Sequence, residues 1–102
     1  MKTTMNNETK KMIAGRRVFD VLRENAKSRD DDSVLYVEVL KRYGCSTNMR
    51  ATTLEKRVSE GVLPSRDTVT RYRRYFQNVD ETLRGNLWNK RQAYASVVRK
   101  TI

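Results

Sequence analysis

Histidine is missing from this 102-residue chain, and cysteine and proline occur once each, as Cys45 and Pro64. Without an imidazole there is no His-activated nucleophile and no His-containing metal site. A single thiol cannot close an intramolecular disulfide, which suits a reducing compartment. Cys45 lies in the polar stretch "CSTN" with no base beside it, so it reads as a bystander. No apolar run approaches the roughly 20 residues of a membrane span. The opening "MKTTMNNETKKMIAG" lacks the apolar stretch of a signal peptide. No glycine-rich phosphate loop is present. Together these absences lead us to expect a cytoplasmic chain that is not an enzyme, carries no cofactor and has no membrane partner.

Acid is also in short supply. The net charge is +10, and the excess is uneven. Residues 1–62 hold 13 basic and 9 acidic side chains, whereas residues 63–102 hold 9 and 3. A surplus of this size points to a polyanionic partner, most often nucleic acid. The three consecutive carboxylates Asp30, Asp31 and Asp32 do not have the alternate spacing of a calcium loop. They read instead as the acidic start of a helix.

What is present is helical periodicity. Gly44, Gly61 and Gly85 divide the chain into blocks of helical length, with no internal repeat or low-complexity run. After a loose tail at residues 1–6, a first helix is expected from Asn7 to about Lys27. Its face is Met12, Gly15, Phe19, Leu22 and Ala26. In "RDDDSVLYVEVLKRYG" the acids mark a helix start, while Lys41, Arg42 and Gly44 mark an end. This outweighs the strand-like run of β-branched residues, and Leu35, Val39, Leu40 and Tyr43 form the stripe. A third helix is expected from Met49 to Glu60, with Leu54 and Val58 inward, stopped by Gly61. Pro64 bars continuation and Ser65 is a good N-cap for a fourth helix, Arg66 to about Asn78. A fifth, from about Asn86 to Lys100, would turn Leu87, Tyr94 and Val98 inward, with Trp88 and Ala95 beside them. The chain therefore reads as one all-α domain of about five helices over residues 1–102. Phe19, Leu22, Leu35, Leu40, Leu54, Val58, Val69, Tyr72, Phe76 and Tyr94 are its expected core.

The fourth helix holds four arginines in "SRDTVTRYRRYFQ". At 100° per residue, Val69, Tyr72 and Phe76 fall on one side, and Asp67, Thr70, Arg71, Arg74 and Asn78 on the other. Arginine forks bond guanine edges or phosphates in pairs, and Thr and Asn add shorter contacts, so this face suits the DNA major groove. Arg73 lies near the apolar edge, where pairing with Asp30, Asp31 or Asp32 is expected. Tyr75 points sideways, whereas the other aromatics fall on inward stripes and read as core.

Two resemblances follow. "EGVLPSRDTVTR" resembles the "AGVSxxTVSR" helix-turn-helix segment of bacterial repressors of the Lac type, through Gly61, Val62, Ser65, Thr68, Val69, Thr70 and Arg71. Leu63 and Pro64 lengthen the turn, and Arg57 stands where that motif has a small alanine. The second covers more of the chain. The pattern "RDDD", "S-x-x-T/S-[IV]-x-R-x-R-R-x-x-Q" and "LRG" is similar to small uncharacterised phage and prophage proteins. Arg29 to Asp32, Ser65, Val69, Arg71, Arg73, Arg74, Gln77 and Leu83 to Gly85 carry it.

The expectation is a small phage-type DNA-binding protein, a possible regulator, with a helix-turn-helix-like unit. Arg66, Thr70, Arg71, Arg74 and Asn78 would meet double-stranded DNA, while Lys90, Arg91, Arg99 and Lys100 steer or grip the backbone. The alternatives are a module that docks on a host protein and an RNA binder without sequence preference.

Overall fold

The structure is a computed structural model that describes residues 7–46 and 48–101, and the side chains of residue 7 and of residues 95–101 lie outside that description. The expected tail at residues 1–6, and the roles assigned to Ala95, Val98, Arg99 and Lys100, therefore fall outside the described residues.

Among the described residues there are five α-helices and no strand: α1 (Asn7–Glu24), α2 (Asp32–Arg42), α3 (Ala51–Ser59), α4 (Arg66–Val79) and α5 (Trp88–Thr101). The all-α class is as expected, and "VLYVEVL" is helical. Local chemistry accounts for the ends. The Asp31 carboxylate accepts the Ser33 and Val34 N–H groups, and Ser65 Oγ accepts the Thr68 N–H at 3.1 Å. Each such cap is worth about 1 kcal/mol. Gly44 and Gly61 follow α2 and α3 with φ of 82° and 75°, a backbone region that disfavours other residues.

Two short 3-10 turns, Ala26–Arg29 and Glu81–Leu83, depart from the expected reading. They end α1 and α4 in the same way. Asn25 caps the first through the Lys27 N–H, and Asp80 caps the second through the Thr82 N–H. The bonds to the hydroxyl and N–H of Thr82 hold the Asp80 carboxyl below its usual range. At the end of the first turn and just beyond the second, an arginine folds back onto the preceding helix. Arg29 Nε donates to Leu22 O at 2.7 Å and Nη2 to Arg23 O at 3.1 Å. Arg84 Nε donates to Gln77 O at 2.6 Å and Nη2 to Asn78 O at 3.0 Å. Terminal carbonyls that would otherwise lack donors are thereby satisfied. This is why α1 stops at Glu24 rather than running to Lys27.

The core forms where α1 packs on both α2 and α4, and α2 also meets α4. Val18, Val21, Leu22, Leu35, Val39, Val69 and Leu83 are enclosed. Phe19, Leu40, Leu54, Tyr72 and Phe76 pack against them half-buried. The Tyr72 ring crosses α1 at Gly15, where a Cβ would lie 3.1 Å from Cε1, and its hydroxyl donates to Lys11 O at 2.8 Å. Tyr36 Oη donates to Pro64 O, fixing the turn before α4.

Four expected inward residues are corrected, the first being Ala26, which is exposed in the 3-10 turn after α1. Tyr94 is 72% exposed, Met12 is 75% exposed, and Leu87 lies at the surface. Neither α3 nor α5 packs on another helix as α1, α2 and α4 pack on each other, so Tyr94 finds no core surface to enter among the described residues. Phe76 is half-buried rather than enclosed. Phe76→Ala should accordingly cost about 2–3 kcal/mol, below the range for a fully enclosed Phe. Urea unfolding checks this; a loss above about 4 kcal/mol would mean that the ring is more enclosed than its exposure indicates.

Candidate nucleic-acid interface

The inner side of α4 is partly polar. Val69, Arg73 and Gln77 are buried there. Arg73 Nε lies 2.6 Å from Asp32 Oδ1, with side-chain exposures of 5% and 32%. Arg73 Nη1 donates to Gln77 Oε1 at 3.0 Å. Gln77 Nε2 in turn donates to Arg29 O at 3.0 Å and Leu83 O at 3.1 Å. Burial holds the Arg73 guanidinium below its usual range; Asp32 opposes this, while Arg91 and Arg74 reinforce it.

The neighbouring acids have separate tasks. Asp30 Oδ1 accepts the Leu87 N–H at 2.8 Å, which docks the start of α5. A Cβ at Gly85 would fall inside that carboxylate, so glycine permits the approach. Asp31 caps α2, and Asp32 holds Arg73. The residues of the phage-like pattern thus meet at one joint: Arg29, Asp30, Asp32, Arg73, Gln77, Leu83, Arg84 and Gly85 are bonded or packed together. Of the other pattern residues of α4, Val69 belongs to the apolar core, and Arg71 and Arg74 are exposed. Sequence spacing flagged Arg73, but the burial of Gln77 had no signal beyond its place four residues later on the same face.

The outer side of α4 carries the expected contact residues. Arg66, Arg71, Arg74 and Asn78 are exposed, and Thr70 is half-buried. Arg66 Nη2 donates to Ser33 Oγ on α2. Arg71 pairs with Asp67 one turn back, N to O 2.9 Å, with both side chains well exposed. A pair so exposed is worth less than about 1 kcal/mol, so a phosphate can compete for Arg71. Lys90 is exposed on α5. Arg91 is placed differently from the expectation of a free backbone grip: its Nη1 and Nη2 donate to Arg29 O and Asp30 O, both at 3.2 Å.

Between α4 and α5 lies an open cleft of about 580 Å³. Asp32, Arg73, Arg74, Gln77, Asn78, Trp88, Arg91, Gln92 and Tyr94 line it. Arg84 covers the Trp88 ring, with its guanidinium carbon 3.8 Å from the ring centroid. On another flank of α4, Tyr75 and Val79 are exposed, and Tyr75 meets Phe76 edge-on at 5.5 Å. The turn from α3 into α4 is anchored by buried Leu63, whereas α3 itself buries no residue fully. The position of α4 therefore comes from α1 and α2. No helix among the described residues is long and apolar enough to cross a membrane. Compared with protein-family models, curated proteins and solved structures, the chain matches none.

Proposed function

We propose that the chain binds double-stranded DNA, with α4 entering the major groove and Arg66, Thr70, Arg71, Arg74 and Asn78 meeting bases and phosphates. The observation that carries this reading is the division of α4. Val69, Arg73 and Gln77 lock its inner side, and the opposite side presents Arg66, Arg71, Arg74 and Asn78 to solvent with one acid, Asp67, among them. A helix fixed from behind keeps its outward side chains in register with a groove. Lys90 adds charge from α5. The similarity of the pattern to phage and prophage proteins makes a small phage-type regulator the setting of this reading.

The test is a titration of duplex DNA over a range of salt. Arg71→Ala and Arg74→Ala should each leave stability within about 0.5 kcal/mol of the parent. Each should weaken binding. A lost base contact costs about 1–3 kcal/mol at one base pair, and a lost phosphate contact lowers the salt slope by about one for every sequence. Arg73→Ala should lower stability, yet leave the affinity of the folded fraction near that of the parent. Unchanged affinity in both Arg71→Ala and Arg74→Ala removes α4 as the contact helix. Equal affinity for RNA, with no preference among sequences, supports the RNA-binding alternative. A host protein is the second reading, favoured by the exposed Tyr75 and Val79 beside the basic face. Absence of nucleic-acid binding at low salt would leave that reading in place.

A further inference from the structure

We infer that the cleft between α4 and α5 is a binding site for a nucleotide unit, that is, a nucleobase carrying a phosphate. The inference does not depend on groove recognition. It shares Arg74 and Asn78 with the outer face of α4, but it also uses Trp88, Gln92 and Tyr94.

The cleft is the right size for one small ligand, since about 580 Å³ lies within the usual range of such sites. Its charge is unbalanced. Arg73, Arg74 and Arg91 line it against a single carboxylate, Asp32, which is engaged by Arg73. Arg73 and Arg91 are committed to Asp32, Gln77 and two carbonyls. Arg74 makes no ion pair or hydrogen bond among the described residues and is exposed, which leaves it to meet an incoming phosphate. The positive charge of its two neighbours remains partly uncompensated, and a dianion would relieve it.

The rest of the lining selects against a bare anion. Trp88 Nε1 is buried and has no hydrogen-bond partner among the described residues. A buried donor left unmade is costly, and a small turn of the ring toward the cleft that it lines would bring it to an acceptor on a ligand. Tyr94 stands in the cleft wall although it is largely exposed, as an aromatic surface on which a base can stack. Asn78 and Gln92 bring side-chain amides, each with a donor and an acceptor, the pairing that nucleobase edges require. Inorganic phosphate would use Arg74 and leave the aromatic and amide groups idle. A nucleoside would leave the charge idle. A nucleotide uses all of them.

The same chemistry comes from two sources, a free mononucleotide or an unpaired nucleotide within a strand. Trp88 is the only tryptophan in the chain, so its fluorescence reports on this cleft. The full chain is titrated with adenosine and thymidine monophosphates, the corresponding nucleosides, inorganic phosphate and a short oligothymidylate. Saturable quenching is expected with the mononucleotides or the oligothymidylate. Nucleoside and phosphate should bind at least about ten-fold more weakly. Tighter binding of the oligothymidylate assigns the site to an unpaired strand, and equal or weaker binding assigns it to a free nucleotide. Arg74→Ala and Tyr94→Ala should each weaken the interaction by about ten-fold or more. Tyr94→Ala should leave duplex affinity unchanged, which separates this site from groove recognition by α4. The inference is overturned if neither nucleotides nor oligothymidylate quench saturably at millimolar concentration, if phosphate binds as well as the nucleotides, or if both variants bind like the parent.

Discussion

Asp32→Ala should lower the free energy of unfolding by about 3 kcal/mol, the lower end of the range for removing one partner of a buried ion pair. The value sits at the low end because Asp32 keeps about a third of its side chain in water, whereas Arg73 keeps 5%. That asymmetry decides which partner matters more. Without Asp32, the Arg73 guanidinium stays enclosed with Gln77 Oε1 as its remaining partner among the described residues. Without Arg73, the carboxylate can turn to solvent. Arg73→Met, which removes the charge and keeps most of the volume, should therefore cost less than Asp32→Ala. Asp32→Asn retains a neutral acceptor and should fall between the parent and Asp32→Ala. Total stability for a domain of this size is typically about 5–15 kcal/mol, so the loss is easily read in a urea titration. A loss under 0.5 kcal/mol in Asp32→Ala would show that Arg73 finds another acceptor, and that the ion pair does not hold α4 to α2.

Gln77→Leu should be comparably damaging, at about 3 kcal/mol, although leucine nearly fills the same space. Gln77 is fully enclosed and makes three side-chain bonds: it accepts from Arg73 Nη1 and donates to Arg29 O and Leu83 O. Leucine satisfies none of these groups. Each buried polar group left without a partner costs about 1–3 kcal/mol, with some recovery as the chain relaxes. Gln77→Ala should be worse, since it adds a cavity to the same losses. The combination of Gln77→Leu with Asp32→Ala should cost more than the sum of the two, because each single change leaves the Arg73 guanidinium one side-chain partner among the described residues and the pair of changes leaves it none. Full additivity in that cycle would break the case for one connected network. A change under 0.5 kcal/mol in Gln77→Leu would mean that water reaches the carbonyls of Arg29 and Leu83.

Much of this architecture was legible in the chain because helix ends are decided by neighbours in sequence. Ser65 caps an N–H three residues on, Asp31 caps two within three residues, and Gly44 and Gly61 supply a backbone conformation at their own positions. The two faces of α4 were legible for the same reason: a period of 3.6 sets Val69, Tyr72 and Phe76 opposite Thr70, Arg71 and Arg74. The inward lean of Arg73 toward an acid also followed from its place at the edge of the apolar side.

Which acid it meets did not. Asp30, Asp31 and Asp32 are equivalent as letters, and the entry of the chain into α2 gave them three separate partners. Periodicity likewise says which residues share a face, but not whether another element covers that face. Periodicity set Tyr94 on an inward stripe with Leu87, but Leu87 precedes α5 and Tyr94 stays at the surface because none of the described helices packs over it. Arg91, expected to face a DNA backbone, reaches the carbonyls of Arg29 and Asp30, more than 60 positions away in sequence. The cleft between α4 and α5 has the same origin. It exists because the Asp30 carboxylate holds the Leu87 N–H and Gly85 leaves room for that approach. Local sequence determines helices, their ends and their faces through interactions spanning a few residues. The joint, the cleft and the partners of the buried arginine depend on contacts between distant segments, which form only when the helices pack.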